Sequence, residues 1–257
     1  MTEHHEHNQS IIHQFSRQAL PFSNVPAHSD SAALHLLLEF SEASPEDLVL
    51  DVACGPGIVT CAFAATCAHV TGIDITPAMI DRARSIQRER ELSNLSWAIG
   101  DVRNLPFPDN SFSLVVTRFT FHHLLDCDAV LAEMKRVCRP GGRVLVVDVA
   151  PEKQHQAAYD EVEILRDPSH VRALNSDEFE ALFVGTELTA IRSTRYLMEM
   201  ELDRQLGASF PNPGDETRIR QIYASDIGGY KLGLNVRDSE LGILYSIPIL
   251  AMLGVKL

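Results

Sequence analysis

Residues 49–60, Val-Leu-Asp-Val-Ala-Cys-Gly-Pro-Gly-Ile-Val-Thr, constrain this chain more than any other stretch. A short apolar run ends in Asp51, a Gly55-Pro56-Gly57 turn follows, and a helix-compatible segment comes next. Glycine has no Cβ, so backbone there approaches a ligand closely and takes conformations that other residues resist. The helix after the turn aims free N–H groups at whatever sits in it. A strand feeding a glycine turn that opens a helix is one wall of a nucleotide-type cofactor pocket.

The flanking sequence supplies the sheet that such a wall needs. Strands are predicted at 47–52, 69–74, 95–100, 112–118 and 143–149, with helices at 57–66, 77–90 and 126–138 between them. Pro77 suits the first turn of its helix. The run Arg143-Val-Leu-Val-Val-Asp148 is apolar on both faces, as a sheet covered on both sides requires. Strand–helix alternation implies a parallel, right-handed, doubly wound α/β sheet. Helices at 10–20 and 29–43 precede it, the second capped by Ser29 or Asp30. Beyond Pro151 come helices at 152–166 and 176–184, a strand at 187–196 and a helix at 215–226. A last strand at 241–247 follows, with Pro248 expected at an edge or an end.

These seven strands are expected to form one mostly parallel sheet. At 257 residues and 45% hydrophobic, the chain suits a single domain with a full core. The expected divisions are a tail and capping helices over 1–44, a cofactor-binding core over 45–198, a cap or lid inserted at 199–236, and the final strand within 237–257.

The formal charge of −13 weighs against a nucleic-acid partner, because tracking phosphates needs a basic face. No apolar run is long enough to span a membrane. Met1 to Ser10 is polar and histidine-rich, unlike a signal peptide, and reads as a disordered solvated tail. No metal is assigned to His4, His5 and His7. The five cysteines show neither CxxC pairs nor zinc spacing and read as reduced thiols of a cytoplasmic protein.

Three cofactor classes use a strand, a glycine turn and a helix. A phosphate-binding GxxxxGK[ST] loop is absent. A dinucleotide fold favours GxGxxG, and the third position here is Thr60. Two acids are more telling. Asp74 ends the second strand, where a carboxylate accepts hydrogen bonds from both hydroxyls of a ribose. Asp101 ends the third, placed to receive the N6 amine of an adenine. Acids at successive strand ends fit an adenosine without a pyrophosphate.

Five segments, in order over about residues 45–150, then carry a family resemblance. They are Leu50-Asp-Val-Ala-Cys-Gly-Pro-Gly57, Gly72-Ile-Asp-Ile-Thr76, Gly100-Asp-Val-Arg-Asn-Leu-Pro-Phe-Pro-Asp-Asn-Ser-Phe112, Thr117-Arg-Phe-Thr-Phe-His-His-Leu124 and Arg136-Val-Cys-Arg-Pro-Gly-Gly-Arg143. The chain resembles the class I S-adenosylmethionine-dependent methyltransferases, in particular the small-molecule branch similar to ubiquinone/menaquinone C-methyltransferases. Ala53 departs from the pattern, since the family often has its first glycine there. The resemblance implies the Rossmann-like fold of that family and S-adenosyl-L-methionine as cofactor. It implies that Asp51 and the Ala53, Gly55 and Gly57 backbone hold the methionine end. It gives the ribose hydroxyls to Asp74, with Ile75 and Met79 against the adenine. It gives the adenine edge to Asp101 and Val102, and the sulfonium side to Thr117 and Arg118.

A sulfonium methyl is already activated, so the protein must hold a nucleophile in line with the S–CH3 bond and keep water out. A base is needed only if the acceptor loses a proton. His122 and His123, just after the fourth strand, are the catalytic candidates. Asp126 and Asp128 read as helix-start acids. The acceptor is expected to meet Phe15, Phe22 and His28 and the 199–235 segment, whose Phe210, Tyr223 and Tyr230 either cover a planar ring or form ordinary cap core. The leading function is methyl transfer to a small aromatic or quinone-like metabolite. A rearrangement or cyclisation on the same fold, or cofactor binding without turnover, are the alternatives, and a homodimer stays open.

Overall fold

The computed structural model describes residues 3–257. Helix α1 (Glu3–Ser23), a 3-10 turn (Pro26–Ser29) and α2 (Ser31–Phe40) lead into strand β1 (Leu48–Val52). Strands and helices then alternate as α3 (Ile58–Ala64), β2 (His69–Asp74), α4 (Pro77–Glu89), β3 (Leu95–Ile99), β4 (Phe112–Arg118), α5 (Cys127–Val137) and β5 (Cys138–Val149). The remainder is α6 (Gln156–Arg166), α7 (Ser176–Gly185), β6 (Thr189–Glu201), α8 (Leu202–Gly207), α9 (Asp215–Ser225), β7 (Arg237–Ser239) and β8 (Gly242–Val255). Among these residues no helix is long and apolar enough to cross a membrane.

Local chemistry sets several starts. The Asp30 carboxylate accepts from the Ala33 N–H, and Asp126 accepts from the Ala129 N–H, so both cap helices. Pro77 opens α4, where its missing N–H would have no partner anyway.

The sheet runs β3-β2-β1-β4-β5-β8-β6, with β7 paired only to β8. β3 through β5 are parallel, and β8 is antiparallel to both β5 and β6. Alternate residues serve opposite faces. Val49, Leu114, Val116, Leu145 and Val147 pack with α2 and α3 on one side. Leu50, Val52, Val115, Val144 and Val146 pack with α5 and α7 on the other. This double burial is why these strands read as unbroken apolar runs. Strand order reverses between β1 and β4, and their carboxyl ends part there to open a crevice.

Three expectations need correction. The supposed tail is helical from Glu3, because its polar side chains are anchored to the body: His7 Nε2 bonds the His123 carbonyl at 2.7 Å, and Asn8 Nδ2 donates to Asp101 at 2.8 Å. Met1 and Thr2 of that tail lie outside the described residues. The sheet has eight strands rather than seven, because the chain between α9 and β8 forms the short β7 hairpin arm. Finally, Pro248 does not end the last strand, which continues to Val255. Within an antiparallel ladder a residue's N and O face the same neighbour. The Pro248 carbonyl accepts from Ala150 N at 2.9 Å, so its nitrogen faces the side where β5 has just ended at Val149. The one bond its missing N–H cannot make is to the Ala150 carbonyl, just past the end of β5, so the proline sits where that side of β8 becomes an edge.

Candidate active site

The crevice holds one cavity, lined by the turn after β1, the ends of β2, β3 and β4, the segment after β4, and parts of α1, α6 and α8. The turn is built from left-handed backbone: Ala53 has φ +54°, Gly55 +52° and Gly57 +80°. The two glycines do different work. A Cβ on Gly57 would lie 2.6 Å from the Trp97 ring, so Gly57 lets the turn pack on β3 and does not reach the cavity. A Cβ on Gly55 would meet nothing within 4 Å, leaving backbone open to a ligand.

Asp74 ties the turn to β2. Its Oδ2 accepts the Gly55 N–H at 2.9 Å and its Oδ1 accepts the Thr76 N–H at 2.8 Å, so each oxygen keeps capacity for a further donor. Burial raises this carboxyl above its usual range, and the two N–H donors oppose that rise. Ile75 and Met79 line the cavity next to it, and Val102 lines it beside Asp101.

Asp101 is more heavily engaged. Arg103 donates to it through Nη2 at 2.6 Å and Nε at 3.2 Å, and Asn8 of α1 through Nδ2 at 2.8 Å. Burial alone would raise its carboxyl, but Arg103 and Asn8 hold it below the ordinary value.

Three residues expected at the cofactor are set behind the wall instead. Asp51 is buried and takes the Thr60 hydroxyl at 2.5 Å; burial lifts its carboxyl to about 7. Thr117 is buried and donates to the Val52 carbonyl at 2.7 Å, joining β4 to β1. Gly57 is the third. Asp51 and Thr117 lie buried near the ends of β1 and β4 and Gly57 at the start of α3, and none of the three lines the cavity. Arg118 does line the cavity. Its Nη1 donates to the His28 carbonyl at 2.9 Å and its guanidinium lies 4.3 Å over the Phe119 ring.

Both histidines also line the cavity, in opposite electrostatic settings. His122 Nδ1 lies 2.5 Å from Asp148 Oδ1. Asp148 is fixed by the N–H groups of Thr120, Phe121 and Val149. Burial would lower the His122 pKa, but the Asp148 carboxylate overcomes it and the value rises above normal. His123 Nδ1 faces the Ser169 carbonyl at 3.0 Å, and burial, reinforced by the neighbouring His122, pushes its pKa down to about 3. Burial likewise takes His28, stacked on Phe22 at 3.9 Å, to about 4, so it stays neutral.

Phe15, Phe22 and His28 line the cavity as expected, but Phe210, Tyr223 and Tyr230 do not. Tyr223 packs on Tyr245 at 4.8 Å, Phe210 lies under the Arg17 guanidinium, and Tyr230 stands half exposed against His155. Of the three, only Tyr223 belongs to the buried core. What reaches the cavity from α6 and α8 is polar: Tyr159, Glu163, Arg166 and Gln205. None was singled out from the sequence. Asp148 carried a readable signal, since it ends its strand with a carboxylate just as Asp74 does; Gln205 carried none.

The arrangement fits a cofactor with a ribose and an adenine. Gly55 leaves room for close approach, Asp74 offers oxygens with spare capacity, and Ile75 and Met79 present apolar surface to a ring. Comparison with known proteins agrees. The methyltransferase domain family matches residues 50–146. The uncharacterized methyltransferase YcgJ of Bacillus subtilis (strain 168) is 32% identical over 249 residues, covering 94% of this chain and 97% of that protein. The ubiquinone/menaquinone biosynthesis C-methyltransferase UbiE of Teredinibacter turnerae (strain ATCC 39867 / T7901) is 36% identical over 161 residues, 56% of this chain and 65% of that protein. The crystal structure of Bacillus subtilis YcgJ matches with a TM-score of 0.79 at 26% identity, covering 88% of this chain and 98% of that one. The strand–glycine turn–helix wall therefore belongs to an enzyme that uses S-adenosyl-L-methionine, and the chain is a member of the S-adenosylmethionine-dependent methyltransferases.

Proposed function

We propose that this methyltransferase acts on a small, largely apolar acceptor of aromatic or quinone-like character. The observation that carries this reading is a continuity: the cavity that holds Gly55 and Asp74 also reaches Val25, Met198, Ile247 and Ile249 in the interior. An acceptor seated there is enclosed, which suits a small molecule better than a polymer. The negative total charge points the same way.

Asp74 is assigned to the ribose hydroxyls, Ile75 and Met79 to the faces of the adenine, and Asp101 with Val102 to its edge. Ala53, Gly55 and Arg118 border the methionine end, with Asp51, Gly57 and Thr117 holding that wall from behind. When bound, the cofactor supplies an activated methyl group on a positively charged sulfur.

The protein's own contribution is position, dryness and a base. His122 is assigned as that base. Asp148 fixes its Nδ1, so Nε2 is left to receive a proton from the acceptor, and the imidazolium that results is stabilised by the same carboxylate. His123 stays neutral and serves as scaffold, braced by Ser169 and by the edge of Phe15.

The test is partition of label. Enzyme incubated with methyl-labelled cofactor and a cell extract should place label in the low-molecular-weight fraction and release S-adenosylhomocysteine. Label found in RNA or protein instead would refute the proposal, and acceptor turnover without S-adenosylhomocysteine would mean a non-methylating reaction.

A further inference from the structure

Helices α6 and α8 bring three polar side chains to the inner part of the cavity: Tyr159, Glu163 and Gln205. They are only 3%, 3% and 8% exposed. Buried polar groups are almost always hydrogen-bonded, yet these are underused. Gln205 Oε1 is buried without a partner, and its amide makes no hydrogen bond among the described residues. Both Arg166 contacts to Glu163, at 2.6 and 2.9 Å, fall on Oε2 and leave Oε1 unused. The Tyr159 hydroxyl stays protonated, because burial pushes its pKa far up.

These groups are one assembly. Arg166 reaches across from Glu163 to the Ser209 hydroxyl at 3.1 Å, and Ser209 donates to the Gln205 carbonyl at 2.8 Å. Around them Met198, Ala208, Ile247 and Ile249 are apolar. The charge at this end is already balanced by the Glu163–Arg166 pair. A neutral group that both donates and accepts would satisfy the amide and the spare carboxylate oxygen.

We propose that Gln205, supported by Glu163, is a specificity determinant that reads a hydroxyl group on the acceptor. The substrate class is then an apolar, ring-bearing molecule carrying an O–H. This inference rests on the reading of the inner cavity as the acceptor chamber. Stacking and burial of the ring supply affinity, and the amide supplies discrimination, since an analogue without the O–H leaves the buried amide unpartnered.

The test uses the full chain saturated with S-adenosylhomocysteine and two probes of nearly equal shape, 2-naphthol and 2-fluoronaphthalene, measured by calorimetry. The wild-type protein should bind 2-naphthol at least tenfold more tightly. Gln205→Leu should cut that preference to under threefold while leaving S-adenosylhomocysteine affinity unchanged, and Glu163→Gln should reduce it by a smaller factor. Equal binding of the two probes, binding of neither, or a preference that survives Gln205→Leu would overturn the proposal. Loss of S-adenosylhomocysteine binding by the wild-type protein would instead strike at the reading of the whole site.

Discussion

Ala53 is the residue at which the chain departs from its family's pattern, and its backbone shows what the departure costs. A non-glycine residue at φ +54° is strained by roughly 1–2 kcal/mol. Restoring glycine relieves that strain but adds freedom to the unfolded chain, about 0.4–1 kcal/mol. Ala53→Gly should therefore raise stability by about 0.5–1 kcal/mol, seen as a melting temperature a few degrees higher. An unchanged or lower melting temperature would mean that the alanine methyl makes compensating contacts. At the same scale, His122 predicts a pH profile. Its pKa in the folded protein is raised by Asp148, so the neutral, proton-accepting form dominates only above the ordinary histidine value. Turnover should rise with pH through that raised pKa. The accompanying stability has the opposite sense: it is present below the ordinary histidine pKa and is lost as pH climbs through the raised one. Asp148→Asn should move the acid limb of the rate profile to lower pH, and His122→Asn should lower kcat about 10²- to 10⁴-fold with S-adenosylhomocysteine affinity retained. A limb that stays in place in Asp148→Asn would remove His122 from the role of base.

The elements differ in how plainly their sequences announce them. The path β1–turn–α3–β2 was legible because each step uses an unambiguous residue type: apolar strand, glycine at left-handed backbone, carboxylate at a strand end. The helix over 10–20 is legible, but the first turns of α1, from Glu3, have the composition of a solvated tail, and only tertiary partners make the whole helix a wall. Gln18 donates to Asp167 at 3.2 Å and Gln14 to the Phe210 carbonyl at 3.4 Å, contacts between residues far apart in sequence that no local pattern encodes. Aromatic count alone does not separate a substrate cover from a cap core, and α8 and α9 do bury Leu206, Ile219 and Tyr223 against Tyr245. That core is continuous with one face of the sheet, whereas the buried residues of α1 are Gln14, Gln18 and Ala19, two of them polar. Amide hydrogen exchange should therefore report S-adenosylhomocysteine binding in residues 3–18 and much less in α9. An equal change in exchange in both would make the cap a moving lid.

Across the whole molecule, the doubly wound sheet was visible in the alternation of apolar runs and helix caps, since one strand after another is buried on both faces. The acceptor chamber was not, because it is assembled from α1, α6, α8 and the inner ends of β6 and β8, elements brought together by topology rather than by neighbouring sequence. Topology also joins the two ends of the chain's chemistry in the contact of Asn8 with Asp101. An amide N–H and an adenine amine are the same kind of donor, and with Asp101 assigned to the adenine edge both would be directed at one carboxylate. On that assignment we propose that the first helix acts as an internal ligand, and reciprocity then requires that it and the cofactor weaken each other's hold by the same factor. Asn8→Ala should remove the internal competitor and tighten S-adenosylhomocysteine binding about two- to tenfold by calorimetry, the worth of one such hydrogen bond. Weaker binding in that variant would make Asn8 part of the cofactor's support. With Asn8 as competitor, the energy that docks α1 is also the energy that helps expel spent cofactor.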